Sequence, residues 1–314
     1  MGTEFRDVSL SLLGCIFATG VVAEEYDYEV SLDYGRSSSD TTFVTTVNGV
    51  PDPLLGTGTT ASDTDDIDLA GTWYYAGLSD AEGPKSRAAF LSRASAFSLS
   101  YGRRDGSGSF VFSSNGVAPP TSGSNSILSH SFSANLRHVW RDSSWYLLAG
   151  LSQLDTEFES VSNGIASSFD RDNTLYSFGV GKYLGKATTV DLNVAGADSG
   201  GGAVAASLQH VGSISQHWQY GVNLVLQRST SHSDEGSYAL RGTLFPSNDV
   251  EFGIKVSRQE LRGGLSDDSI EAFAGWFVRD HIELTARYRQ DSPDDVPGRD
   301  SDSSGFVLGA AFRF

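Results

Sequence analysis

Cysteine is almost absent: the single one among 314 residues is Cys15, inside the first two dozen positions. The rest of the chain therefore holds no disulfide scaffold, no cysteine-rich zinc site and no thiol nucleophile. Long apolar runs are missing too. Nothing approaches the roughly 20 consecutive apolar residues of a membrane-spanning helix, and mean hydropathy is −0.21. Basic residues are scarce, 22 Lys and Arg against 39 Asp and Glu, giving a net charge of −17. Such a balance lacks the basic footprint of a nucleic-acid-binding protein. It suits a surface bathed in divalent cations, or openings that attract cations. There is no G-x-S-x-G, no H-E-x-x-H and no glycine-rich phosphate loop ending in Lys-Ser/Thr, so the common hydrolase and nucleotide signatures are excluded. Gly179-x-Gly181 lacks a third glycine at the dinucleotide-binding distance. No 3.6-residue apolar period of helix length competes anywhere.

What the chain does have is alternation. From Gly305 to Phe314, the residues Phe306, Leu308, Ala310, Phe312 and Phe314 alternate with Gly305, Val307, Gly309, Ala311 and Arg313. A period of two is a β-strand with one oily and one mixed face. Tyr26, Tyr28, Val30, Leu32 and Tyr34 oppose Asp27, Glu29, Ser31 and Asp33 in the same way, and Ile67, Leu69, Trp73 and Tyr75 oppose Asp66, Asp68 and Thr72. Aromatics facing carboxylates across one strand are hard to reconcile with a soluble core packed on both faces. About fourteen such segments follow one another, with twelve and sixteen as the neighbouring counts. Their connections alternate between tight turns and longer polar loops.

Low hydropathy is no obstacle to a membrane barrel, because its strands alternate apolar-out and polar-in. In lipid every backbone N–H and C=O must pair within the protein, and only a closed sheet has no edge. The pattern predicts an all-β, transmembrane, antiparallel up-and-down barrel. Both chain ends lie on the periplasmic side, and Tyr34, Tyr101, Trp218, Trp276, Tyr288 and Phe312 sit in interfacial girdles. Arg103–Asn125 and the Ser/Asn/Asp-rich tract after Phe158 read as loops. Strand five, from Trp145, is apolar on both faces near its start, which leaves its orientation open.

Val8 to Ala23 is an apolar segment ending in Val21-Val22-Ala23 and followed by Glu24-Glu25. Its length and small terminal residues fit a cleaved export signal over 1–23, leaving the barrel as 24–314. Leu12-Leu13-Gly14-Cys15 also reads as a lipoprotein processing site, which would leave Cys15 lipidated.

Two stretches carry a resemblance. A terminal strand ending in Phe314, with Phe306, Leu308 and Phe312 upstream, resembles the insertion signal of bacterial outer-membrane β-barrels. The run Gly83-Pro84-Lys85-Ser86-Arg87-Ala88-Ala89-Phe90-Leu91 is similar to one found in porin-type outer-membrane proteins of gamma-proteobacteria. That resemblance implies a Gram-negative outer-membrane location, passive diffusion of small hydrophilic solutes or ions, and no catalytic residues to carry over. The implied partners are outer-membrane lipids, lipopolysaccharide and the barrel-insertion machinery, with the protein a monomer and no cofactor.

With the oily face outward, the interior receives Asp27, Glu29, Asp33, Asp66 and Asp68 from the first two strands. From the last five it receives Arg241, Glu251, Lys255, Glu271, Glu283, Arg287, Arg289 and Arg313. These are the candidate pore-lining residues, and Arg313 should sit beside the first acidic strand because first and last strands adjoin. They make either a charged constriction that orients solutes or a self-compensating wall. The alternatives to a channel are a structural or adhesive barrel plugged by the loops after strands one and three, and a lipid hydrolase built on outward-facing His130 or His138. Asp63–Asp66 and Asp291–Asp302 are acidic tracts with ligands suited to Ca²⁺ or Mg²⁺, although neither has an EF-hand spacing.

Overall fold

The computed structural model describes residues 25–44, 46–47, 50–51, 56–79, 83–113, 120–215, 217–230, 235–260, 266–293 and 299–314. They form a closed antiparallel barrel of 14 strands in which every strand pairs with its neighbours in sequence. The strands are β1 (Glu25–Val44), β2 (Thr57–Ser79), β3 (Ala96–Ser113), β4 (Thr121–Trp140), β5 (Trp145–Ser162), β6 (Ile165–Tyr183) and β7 (Thr188–Ala197). The second half comprises β8 (Gly202–Ser213), β9 (Gln219–Ser229), β10 (Gly236–Ser247), β11 (Val250–Glu260), β12 (Ser266–Arg279), β13 (Ile282–Pro293) and β14 (Arg299–Arg313). A two-residue ribbon, Thr46–Val47 against Val50–Pro51, decorates the first loop. The predicted export signal and parts of the polar loops lie outside the described residues.

Closure is made by β1 and β14 with Glu29 directly across from Arg313 and Tyr34 across from Leu308. The chain ends are zipped together: Tyr28 and Phe314 exchange backbone bonds of 2.9 Å in both directions, and their rings stack at 6.0 Å. The C-terminal aromatic thereby finishes the sheet instead of fraying. Its outward neighbours Phe306 and Leu308 are exposed on the barrel's exterior, where lipid and not water is the matching solvent.

The same exterior carries Trp73, Tyr75, Trp140, Trp145, Trp218 and Trp276 near the short-turn end, and Tyr34, Tyr101, Tyr176, Tyr238 and Tyr288 higher up. Aromatic rings at two levels are the girdles of a transmembrane barrel. By the usual asymmetry of such barrels, the short-turn end, which holds both described chain ends, is periplasmic. At strand five the doubt resolves simply. Trp145 and Leu147 face out, while Tyr146 is buried within the short-turn end.

Strand lengths are unequal. At roughly 3.3 Å per residue and a tilt near 40°, the 11 residues of β9 rise about 28 Å, enough for the apolar band. By the same arithmetic the 20 residues of β1 rise about 50 Å. The wall β1–β6 therefore stands well above the wall β7–β13 at the loop end.

This corrects the loop boundaries expected from sequence. Much of Arg103–Asn125 continues β3 and β4, and the tract after Phe158 is a hairpin whose tip is Asn163-Gly164, at φ 50° and 79°. Both residues are left-handed, the conformation of a type I′ turn that Asn-Gly favours. Above the membrane both faces meet water, so these strands are built of Ser, Thr and Gly and show no apolar alternation. Asp63–Asp66 is likewise strand, and so are the described ends of the Asp291–Asp302 tract. Asp63 and Asp65 alternate with Thr64 and Asp66 along β2, which sends neighbouring carboxylates to opposite faces. Among the described residues no group of three or more His, Cys, Asp or Glu is arranged to hold a metal.

Candidate functional site

The connection from β2 to β3 does not behave like the other short-end turns. Residues 83–95 run inside the mouth of the barrel, with a 3₁₀ turn (Lys85–Arg87) leading into α1 (Ala88–Leu91). Pro84 fixes the entry with φ −61°. Gly83 stands at φ 154°, where a side chain would collide with Leu91. At the exit Arg93 takes φ 53°, and Arg93 N–H donates to Phe90 O while Ala94 N–H donates to Ala89 O. That pair is a Schellman motif, which stops a helix and reverses the chain.

Both halves of this strap are anchored on opposite sides of the mouth. On one side Lys85 Nζ lies 2.6 Å from Asp249 Oδ1 and 2.5 Å from Asp280 Oδ1, in the β10–β11 and β12–β13 turns. Lys85 N–H donates to Asn248 O, Ser86 Oγ donates to Glu251 Oε2 at 2.7 Å, and Arg313 Nη1 donates to Lys85 O. On the other side Phe90 is buried among Val139, Tyr146, Tyr183 and Val211 from β4, β5, β6 and β8. Tyr183 OH donates to Phe90 O, and Arg93 reaches Ser144 Oγ at 2.9 Å and Gly185 O at 2.7 Å while lying over the Tyr183 ring. Partial burial opposes charge on Lys85, but the two carboxylates outweigh it and hold its ammonium above the ordinary lysine range. The hydrogen bond from Lys85, with its charge, holds the Asp280 carboxyl below the usual range.

Above the strap the wall is polarised around its circumference. On β10–β13 and β1–β3 the interior carries charge. A cross-strand row runs Arg241, Lys255, Glu271, Arg289. A step toward the periplasm, Arg287 donates to Asp33 Oδ2 at 3.2 Å and Arg104 to Asp66 Oδ1 at 2.6 Å. Asp33 reaches Arg287 by lying across Gly309, where any β-carbon would strike its carboxylate. On β4–β9 the interior is instead hydroxyl and amide, including Ser133, Ser152, Asn193, Asn223 and Gln227. Asp191 and Arg137 are charged there: Asp191 accepts from Tyr146 OH and Ser207 Oγ, and Arg137 donates to Tyr183 OH.

The structure divides the sequence-predicted interior set in two. Glu29, Glu251, Glu283 and Arg313 gather at the strap: Arg313 Nε lies 2.7 Å from Glu29 Oε2 and Arg313 Nη2 3.2 Å from Glu283 Oε2. Asp33, Asp66, Asp68, Arg241, Lys255, Glu271, Arg287 and Arg289 stand above it around open cavities of about 230 Å³, 450 Å³ and, for Lys255, 490 Å³. Asp27 is exposed near the chain end. Sequence reasoning missed Arg104, because Gly102 and Gly106 blur its alternation. It also missed the anchoring roles of Lys85, Ser86, Phe90 and Arg93, whose segment has no strand periodicity to read.

On the exterior, His130 Nδ1 is 2.8 Å from Tyr101 OH, and His138 Nδ1 is 2.9 Å from Tyr75 OH. The residues directly across from His130 are Arg103 and Asp155. No serine hydroxyl faces it from those pairs. Both histidines sit in the aromatic girdle.

A closed fourteen-strand barrel with an apolar, doubly girdled exterior and a polar interior is the fold of a bacterial outer-membrane protein. Solved structures agree in fold. Omp33 of Acinetobacter baumannii aligns over 92% of this chain and 99% of its own at 17% identity, with a TM-score of 0.52. A deltaS2S3 mutant of the monoaromatic hydrocarbon channel TodX aligns over 96% and 92% at 8% identity, with a TM-score of 0.53. No protein-family model and no curated sequence matches the chain.

Proposed function

We propose that this barrel is an outer-membrane channel for passive diffusion of small hydrophilic solutes, in which the strap of residues 83–95 is the main barrier. The observation that carries this reading is the stack of charged cavities between the open loop end and the strap. A barrel serving only as a scaffold gains nothing from keeping ion pairs and glycines around open space. The charged wall favours hydrophilic cargo over the hydrocarbon named for TodX. Purified protein in planar bilayers should give stepwise conductance, with a cation preference from the net charge of −17 read as a reversal potential in a salt gradient. A folded barrel silent under all conditions would sink the reading.

The strap itself favours one alternative, a barrel plugged for good that acts as a scaffold or adhesin. Among the described residues the plug is the periplasmic connection; much of the extracellular loops after strands one and three, the plug expected from sequence, lies outside those residues. A barrel silent even after the strap is removed would favour it. Export through the 1–23 signal, insertion through Phe306, Leu308, Phe312 and Phe314, lipopolysaccharide contact and a monomeric state belong to the same proposal.

A further inference from the structure

The cavity beside Arg104 and Arg289 has open valences that a self-neutralised wall would lack. Each guanidinium is held through Nε alone, Arg104 by Asp66 and Arg289 by Asp291, both at 2.6 Å. The two terminal nitrogens of each, the fork that grips a carboxylate with two parallel bonds, have no partner among the described residues. Both side chains are more than half exposed. Asp68 and Glu271 line the same cavity of about 450 Å³, and neither has a hydrogen-bond or ion-pair partner among the described residues. Asp68 lies directly across from Asp33, whose carboxylate is taken by Arg287. Glu271 lies between Lys255 and Arg289 in register without an ion pair to either. Gly35 and Gly305 border the cavity and leave room beside these groups.

We propose that this cavity is a binding site for small zwitterions that carry an ammonium and a carboxylate on one short frame, as amino acids and short peptides do at neutral pH. The carboxylate takes the forks of Arg104 and Arg289, and the ammonium takes Asp68 and Glu271. A lone anion would satisfy the forks but face two unpaired carboxylates. A lone cation would satisfy those carboxylates and leave the forks unused. Only a solute with both charges answers both halves of the wall while adding no net charge. The inference builds on the channel reading, since it names what the lumen selects.

Equilibrium binding to the detergent-solubilised barrel tests the site apart from transport. Glycylglycine is titrated against glycinamide, which keeps only the ammonium, and N-acetylglycine, which keeps only the carboxylate. Glycylglycine should bind at least about tenfold more tightly than either, the worth of one charge-assisted hydrogen bond. Asp68→Asn with Glu271→Gln should remove that advantage over N-acetylglycine. Arg104→Lys, which keeps the charge but not the fork, should narrow the advantage over glycinamide. All four residues stand on the interior face, and a heat-shift gel reports whether each variant remains a barrel. Equal binding of the three probes, or no binding of glycylglycine to the folded wild type, overturns the proposal. Conductance without zwitterion preference rejects the site and keeps the channel; binding without conductance does the reverse.

Discussion

Phe90→Ala isolates the strap from the barrel. Phe90 is 5% exposed and sits in a cluster with Val139, Tyr146, Tyr183 and Val211, buried residues of β4, β5, β6 and β8. Truncating a buried phenylalanine to alanine costs about 3–5 kcal/mol when the site cannot collapse. Here the barrel side is a rigid sheet, so little relaxation is expected, and the loss falls on docking of the strap more than on barrel stability. A shift of about 3 kcal/mol moves the docked-to-undocked ratio by roughly two orders of magnitude. A strap undocked about 1% of the time would then be undocked about half the time. Single-channel recording reads this directly as the fraction of time spent at the higher conductance level, which should rise steeply in the variant. The gel heat shift should be unchanged, since no strand pairing is touched. A variant that is folded, migrates as a barrel and gates like the wild type would refute the assignment of Phe90 as the strap's apolar anchor.

Three further outcomes follow from the same geometry. The Lys85 clamp has a defined pH window: its raised ammonium contributes docking that is complete below the ordinary 10.5 and lost as pH rises above it, while the lowered Asp280 contributes docking present above 3.8 and lost as pH falls below it. The clamp's share of docking should therefore be flat across neutral pH and fall at both extremes, and a Lys85→Met variant should lose that share of the open-time profile, read as the difference from wild type. Gly309→Val drives a side chain into the Asp33 carboxylate and should destabilise the barrel by about 1–3 kcal/mol in urea unfolding. Combining it with Asp33→Ala should recover part of the loss, the clash with Thr285 Oγ1 remaining. Arg93→Ala removes the bonds to Ser144 and Gly185 and the contact with Tyr183, and should raise open time by less than Phe90→Ala does.

Where lipid lies against the barrel, the chain announces its fold. Val250, Phe252, Ile254 and Val256 must face hydrocarbon while Glu251 and Lys255 face the interior, and that demand writes itself as a period of two. Where both faces are wet the demand vanishes. This is why the serine-rich tops of β3–β6 read as loops and turned out to be paired strand. The strap was invisible for a different reason. Lys85, Phe90 and Arg93 are fixed by partners more than 40 residues away, among them Asp249, Tyr183 and Gly185, and local periodicity carries no trace of such contacts. Interior charges such as Asp33 and Arg287 were legible as inward-facing. The partnering that leaves Asp68 and Glu271 unsatisfied depends on register and on Gly309, and emerged only from the folded barrel.

The most direct test replaces the strap altogether. Trp73 pairs with Phe97 across β2 and β3, so residues 76–94 can be exchanged for a four-residue turn like those that join β4 to β5 and β6 to β7 at the same end. Conductance of the refolded short-turn barrel is then compared with that of the parent in the same bilayer and salt. A several-fold larger stepwise conductance is the expected result. A folded short-turn barrel that conducts no better than the parent would contradict the strap as the barrier, and with it the channel.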